Sequence, residues 1–342
     1  MSKGFTRREF TALAAGGIGW SVINPASFAR AADQPLEKVS LAIVPLASSG
    51  AVLIAQGKGW FREEGIDLSL KTFNAAGPVP VAVVSGDADL GVTGLTAGFY
   101  NMAGQGAIKI IAGQSREEKG FELNGFIASD ATWKAGARKF PDLVGRRIGI
   151  TTFGSTVHYS ILLAAKKYKI DPSRFTLVPL QSIANMVAAF KGGQVDAIVS
   201  PVNTFRQMQS EGFGKLIAWV GDIAPWQLGG LFASPKIIAN RRPAVEKFMK
   251  AYVRGCAAYN AAFNQRSADG KPVKGNNYDE YLLLLSKVIG QKPELVATGL
   301  PYVDPKAEFD SADIAQQIAI WKAAKQVAQN VSADAVIDRS FL

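Results

Sequence analysis

Past residue 36 the sequence alternates short apolar runs with longer stretches in which apolar residues return every three or four positions. "KVSLAIVPL" predicts a strand, and "GAVLIAQGKGWFREEG" a helix closed by glycine. "IDLSLKTF" is the next strand, followed by a helix in "PVPVAVVSGD". "ADLGVTG", the helix of "LTAGFYNMAGQG" and the strand "IKIIAG" continue the rhythm. The rhythm breaks near "FELNGFIAS" and restarts with "RRIGI", "RFTLVPL", "IANMVAAFKGGQ" and "VDAIVS". It breaks again at "WQLGGLFAS". From about residue 242 to 331 the pattern is almost all helical. In "RRPAVEKFMKAYVRGCAAYNAAF", Val245, Phe248, Met249, Tyr252 and Cys256 recur at three and four and mark a buried helix face.

A βαβα rhythm implies an α/β fold of mainly parallel sheets with helices on both faces. Two such clusters, separated by two extended crossings, predict two lobes joined by two strands, with the last third packing on the first. The expected boundaries are 36–125 plus 230–342 for lobe I and 126–229 for lobe II. In folds of this kind, ligands bind in the crevice beyond the carboxyl ends of the strands.

Those strand ends share one chemistry. "ASSG" brings Ser48 and Ser49, "NAAG" Gly77, and "TGLT" Thr93 and Gly94. "FGST" brings Gly154, Ser155 and Thr156, "QSIAN" Ser182 and Asn185, and "SPVNT" Ser200 and Asn203. Small polar residues at helix starts either cap the helix or, where several converge, offer N–H and hydroxyl groups to an anion. His158, two or three residues inside the helix after Ser155, either faces the crevice or packs inward. The helix dipole there favours its neutral form. Phe153, Tyr159 and Trp226 are either core or the apolar wall of a ligand site.

Composition narrows the classes. The 342 residues suggest two domains, and 48% apolar with 19% charged residues is an ordinary globular balance. The net charge of +10 is scattered as single Lys and Arg, without a basic helix, which argues against nucleic acid as a partner. One cysteine allows no internal disulfide, and one histidine makes a transition-metal site unexpected. No phosphate-loop or dinucleotide fingerprint appears, and no carboxylate near Ser155 and His158 in sequence completes a triad. The expectation is a binding protein without catalytic residues or cofactor.

The N-terminus, "TRREFTALAAGGIGWSVINPASFARAADQ", resembles a twin-arginine (Tat) export signal. Arg7 and Arg8 are followed by Phe10, a Gly- and Ala-rich apolar stretch and small residues near "ARA". The apolar stretch is too short and glycine-rich for a permanent anchor, and no cysteine follows for lipid attachment. Cleavage near residue 31 would leave the chain at +7, outside the cytoplasmic membrane.

The order "GKGWFREEGIDL", "VVSGDADLGVTG", "LVGRRIGITTFGSTVHY" and "AAFKGGQVDAI" resembles the taurine, nitrate and alkanesulfonate group of periplasmic substrate-binding proteins. That group includes the binders of thiamine-pyrimidine precursors, and the likeness covers about residues 36–235. "GSTVHY" is close to the family's Gly-Ser-Thr-X-His-Tyr, and "GQVDA" to its Gly-X-Val-Asp-Ala. The resemblance implies a two-lobe periplasmic binding protein fold (type II, Venus-flytrap) with the crossing strands as hinge. It implies a monomer that carries a small anionic or polar solute to an ABC permease and its ATPase. The same clamp would serve a ligand sensor for a membrane receptor; a thiamine-pyrimidine-synthase-like enzyme would need more histidine and cysteine than this chain has. Two departures bear on the ligand. Where many members place tryptophans, this chain has "IVSPVNTF", and no Arg pairs obviously with an acid group, Arg116 and Arg206 being nearest.

Overall fold

The apolar runs pair into two five-stranded sheets and a short ribbon. In the computed structural model, which describes residues 35–342, the first sheet contains β1 (Glu37–Ile43), β2 (Ile66–Thr72), β3 (Leu90–Gly94) and β4 (Lys109–Gly113). The second contains β6 (Asn124–Ala128), β7 (Arg147–Ile150), β8 (Thr176–Pro179), β9 (Ala197–Pro201) and β10 (Lys215–Trp219). β5 (Arg116–Glu117) and β11 (Trp226–Gln227) pair antiparallel as the ribbon, and β12 (Gly229–Ala233) returns the chain to the first sheet. The strand orders are β2-β1-β3-β12-β4 and β10-β6-β9-β7-β8. The expected export signal, residues 1–31, lies outside the described residues.

Each sheet is parallel except where the crossing strand enters it. β12 runs against β3 and β4, and β6 runs against β9 and β10. The cause is topological. A chain that leaves one sheet at the carboxyl ends of its parallel strands meets the next sheet at the corresponding edge, and must run opposite to strands that end there.

Helices cover both faces, and their side changes once in each sheet. The helix after β1, Gly50–Gly57, packs with the 22-residue helix Arg242–Phe263 against Val39, Leu41 and Ile43. A Cβ on Gly255 would collide with the Ala51 carbonyl oxygen, so glycine sets the close approach of these two helices. All five residues foreseen on that face, Val245 to Cys256, are buried. The helices after β2 and β3 place Val79, Val83, Phe99 and Tyr100 in a different core, on the other face of the sheet. In the second sheet, the helix after β7 (Thr156–Tyr168) joins that same core, whereas those after β8 and β9 bury Met186, Phe190, Phe205 and Met208 elsewhere. The connections therefore change face between neighbours β1 and β3, and again between neighbours β7 and β9.

Three local expectations are corrected. The helix foreseen over "GAVLIAQGKGWFREEG" is two, Gly50–Gly57 and Trp60–Glu63, because Gly59 turns left-handed at φ 76°. The helical end is interrupted at residues 264–277 and 298–310, where "SADGKPVKGNN" and "PYVDP" supply the Gly and Pro that stop helices. β10, absent from the sequence reading, closes the second sheet at its antiparallel edge.

Candidate functional site

The points where connections change face are where an open sheet leaves a crevice, since the flanking loops diverge there. In the first sheet that places Ser48 and Ser49 after β1 beside Thr93 and Gly94 of β3. Gly229 opens β12 directly opposite Gly94. In the second sheet it places Gly154, Ser155 and Thr156 after β7 beside Ser200 and Asn203 at the end of β9.

These two sets meet. The Ala97 amide donates to the Gly154 carbonyl oxygen at 2.9 Å, and a Cβ on Gly94 would stand 3.0 Å from Thr156 Cγ2. Gly154, at φ 80°, brings its backbone to where a Cβ would be 3.2 Å from Ala97 Cβ. On the opposite side, Asn203 Nδ2 donates to Gln291 Oε1 at 3.4 Å. The remaining strand-end residues lie apart. Gly77 follows β2 and Ser182 and Asn185 follow β8, the outermost strands of their sheets. Ser182 accepts the Asn185 amide and acts as the helix cap.

The side chains divide by what already occupies them. Ser155 Oγ accepts the His158 amide at 3.3 Å and donates to the Thr152 carbonyl at 2.7 Å, so it caps its helix. Helix geometry leaves the first-turn N–H groups of Thr156 and Val157 without helical acceptors. Thr93 and Ser200 are buried within their sheets. Ser49 Oγ donates to the Val44 carbonyl at 2.9 Å and accepts from Gln114 Nε2 at 3.0 Å.

His158 faces inward. Its Nδ1 accepts the Gly154 amide at 3.1 Å, which puts the ring proton on Nε2, and its edge meets Phe153 and Trp321 at 5.4 and 5.5 Å. Burial pulls its pKa down to about 4, keeping it neutral. Trp226 and Tyr159 are core, with ring centroids 4.5 Å apart and no exposed surface, leaving Phe153, 52% exposed, as the aromatic at the crevice rim. Arg206 is paired with Glu122 at 2.6 Å, and Arg116 sits 3.5 Å from Glu118. No group of three or more metal-ligating side chains occurs among the described residues.

The ribbon holds residues that sequence reasoning missed. Gln114 leads into it. Glu117, opposite Trp226, is fully buried, accepts from Asn124 Nδ2 at 2.6 Å through Oε1, and has no partner for Oε2 among the described residues. Burial raises its pKa to about 8, with the nearby Asp222 charge adding to the effect and the Asn124 hydrogen bonds opposing it. On the other edge of β11, the Gln227 amide donates to Asp313 Oδ2 at 2.6 Å, and Gln317 Nε2 donates to the Gln227 carbonyl at 2.8 Å. Their only sequence signal was a concentration of amides and acids at the two breaks in the rhythm.

Comparison with known proteins agrees with this architecture. The taurine-binding periplasmic protein of Escherichia coli (strain K12) is 25% identical over 216 residues, which span 62% of this chain and 63% of that protein. The alkanesulfonate-binding protein SsuA from Xanthomonas axonopodis pv. citri, solved bound to MOPS, superposes with a TM-score of 0.67 at 19% identity, over 90% of this chain and 100% of its own. The periplasmic aliphatic sulphonate binding protein SsuA from Escherichia coli gives 0.70 at 17%, over 89% and 92%. The fold is that of two-lobe periplasmic binding proteins. A family model matches residues 47–264, well over half the chain, and the protein therefore belongs to the NMT1/THI5 like family.

Proposed function

We propose that this chain is the solute-binding component of an ABC importer, exported to the periplasm behind a twin-arginine leader and acting as a monomer. It captures a small organic anion, a sulfonate or carboxylate, between lobe I (36–125 with 230–342) and lobe II (126–229). It then presents the closed form to a membrane permease and its ATPase. The observation that carries this reading is that the face-changing points of both sheets adjoin through Ala97 and Gly154. A ligand lodged beside that contact touches both lobes, so its binding energy favours closure over opening.

The anion preference rests on the open N–H groups at the start of the helix Thr156–Tyr168, which attract negative charge without an Arg partner. Phe153 offers an apolar surface to the organic part, and the relatives named above bind sulfonates and taurine. Catalysis is disfavoured by the geometry of Ser155 and His158. Both polar functions of the serine hydroxyl are spent on backbone, and the imidazole Nδ1 is turned to Gly154.

The test is a thermal-shift screen of sulfonates, aliphatic and aromatic carboxylates, nitrate and pyrimidines, followed by small-angle scattering with each binder. A sulfonate or carboxylate should raise the melting temperature in proportion to occupancy and compact the particle. Tight binding without compaction would overturn the clamp, and binding of nitrate or pyrimidines alone would overturn the ligand class.

A further inference from the structure

The first-sheet wall of the crevice carries a hydrogen-bond acceptor whose orientation is fixed. Gln114 follows β4 and is 5% exposed. Its Nε2 donates to Ser49 Oγ at 3.0 Å. Ser49 has one hydroxyl proton and spends it on the Val44 carbonyl, so toward Gln114 it can only accept. That settles which end of the carboxamide is which: nitrogen toward Ser49, oxygen away from it.

Oε1 occupies the space over Gly229, where a Cβ would overlap it. Gly229 pairs with Gly94, and Gly94 in turn faces Thr156 across the crevice. Oε1 receives no hydrogen bond from any described residue, though the rest of the side chain is held. Opposite it, the second lobe offers donors, the first-turn amides of the helix Thr156–Tyr168. The crevice therefore presents donors on one wall and a fixed acceptor on the other.

We propose that Gln114 is a specificity-determining residue: its Oε1 accepts from an N–H or O–H of the ligand, so the solute is a small acid that also carries an amino or hydroxyl group. This rests on the binding function proposed above and narrows its ligand class. An acid lacking the donor would close the crevice over an unpaired carbonyl oxygen, a loss that a site built around a hydrogen bond converts into discrimination. A plain alkyl acid supplies only acceptors, which suit the helix amides and leave Oε1 unanswered.

The test compares matched acids by isothermal titration of the exported chain: 2-aminoethanesulfonate, 2-hydroxyethanesulfonate and ethanesulfonate, with 3-aminopropanoate, 3-hydroxypropanoate and propanoate. In at least one set, a donor-bearing member should bind about tenfold or more tighter than the plain one. In Gln114→Met, which keeps length without the carbonyl, that ratio should collapse toward one. Ser49→Ala, which unpins the carboxamide without removing it, should reduce the ratio by less, and it reads the same contact if Gln114→Met does not fold. Plain acids binding the parent as tightly as donor-bearing ones would overturn the inference and leave the binding function standing. An undiminished ratio in Gln114→Met would do the same. Failure of every acid in both sets to bind would overturn the inference that the solute is a small donor-bearing acid, while the binding function is decided separately by the wider screen described above.

Discussion

The amide of Ala97 donates to the carbonyl of Gly154 at 2.9 Å, joining the loop after β3 in one sheet to the loop after β7 in the other. Each loop lies beside the strand pair where connections change face, so the contact ties the two halves at the carboxyl ends of their parallel strands. Gly154 makes it possible. With φ at 80°, it adopts a conformation that costs other residues free energy, and a side chain would press on Ala97.

Gly154→Ala should therefore destabilise the protein by roughly 1–2 kcal/mol and weaken ligand binding. Gly193, at φ 72° with nothing within 4 Å of its would-be Cβ, is the control. Gly193→Ala bears the backbone cost alone. Denaturant melts with ligand titrations separate the two, and equal effects on binding would show that the Ala97 contact plays no part in closure.

Ser155 and Ser182 are both caps, but only Ser155 stands where the sheets meet. Each change to Ala should lower stability by about 1 kcal/mol through the lost cap. Only Ser155→Ala should also weaken ligand binding, read by titration calorimetry. Equal binding by both variants would remove Ser155 from the site.

That contrast shows what the sequence could and could not convey. The helix Arg242–Phe263 was legible because 22 residues at a 3.6 period leave little ambiguity about the buried face. The starts of helices after β7 and β8 were equally legible and looked alike, hydroxyl residues after a turn. Which of them borders the crevice depends on sheet order, a non-local property that places β8 at an edge and β7 beside β9. The same limit hid Gln114, whose partner Ser49 is 65 residues away, and it left Tyr159 and Trp226 open between wall and core. β10 escaped because "KLIAW" shows no clean alternation, and its place is set by pairing with β6.

Export should depend on Arg7 and Arg8. Replacing both with Lys should leave precursor in the cytoplasm, seen by fractionation and immunoblot, because the pair would be the recognition element of the twin-arginine leader proposed above. Normal periplasmic accumulation would assign the leader to another route.

His158 should make the protein acid-sensitive. Its pKa falls from 6.5 to about 4 through burial, so the folded state holds it neutral while the unfolded chain can protonate. The stabilisation is complete above about pH 6.5 and is lost as pH falls toward 4, by about 3 kcal/mol in all. In His158→Asn, whose side-chain oxygen can still accept the Gly154 amide, this part of the acid slope should vanish. Parallel stability curves for parent and variant between pH 7 and 4 would refute it.

Glu117 works in the opposite sense. Burial in the ribbon raises its pKa from 4.5 to about 8, so the folded state prefers the protonated carboxyl while the unfolded chain releases its proton near 4.5. Its contribution to stability is therefore greatest below about pH 4.5, falls by a few kcal/mol as pH rises to about 8, and is flat beyond. Glu117→Gln keeps a carbonyl oxygen for Asn124 Nδ2 and cannot ionise. The variant should match the parent near pH 4.5 and become more stable than it at pH 8 to 9, a gain from removing a charge that no described residue pairs. Thermal unfolding of both proteins across that range is the measurement. A variant less stable than the parent at pH 9 would mean that the ionised carboxylate is held in the folded ribbon at no net cost.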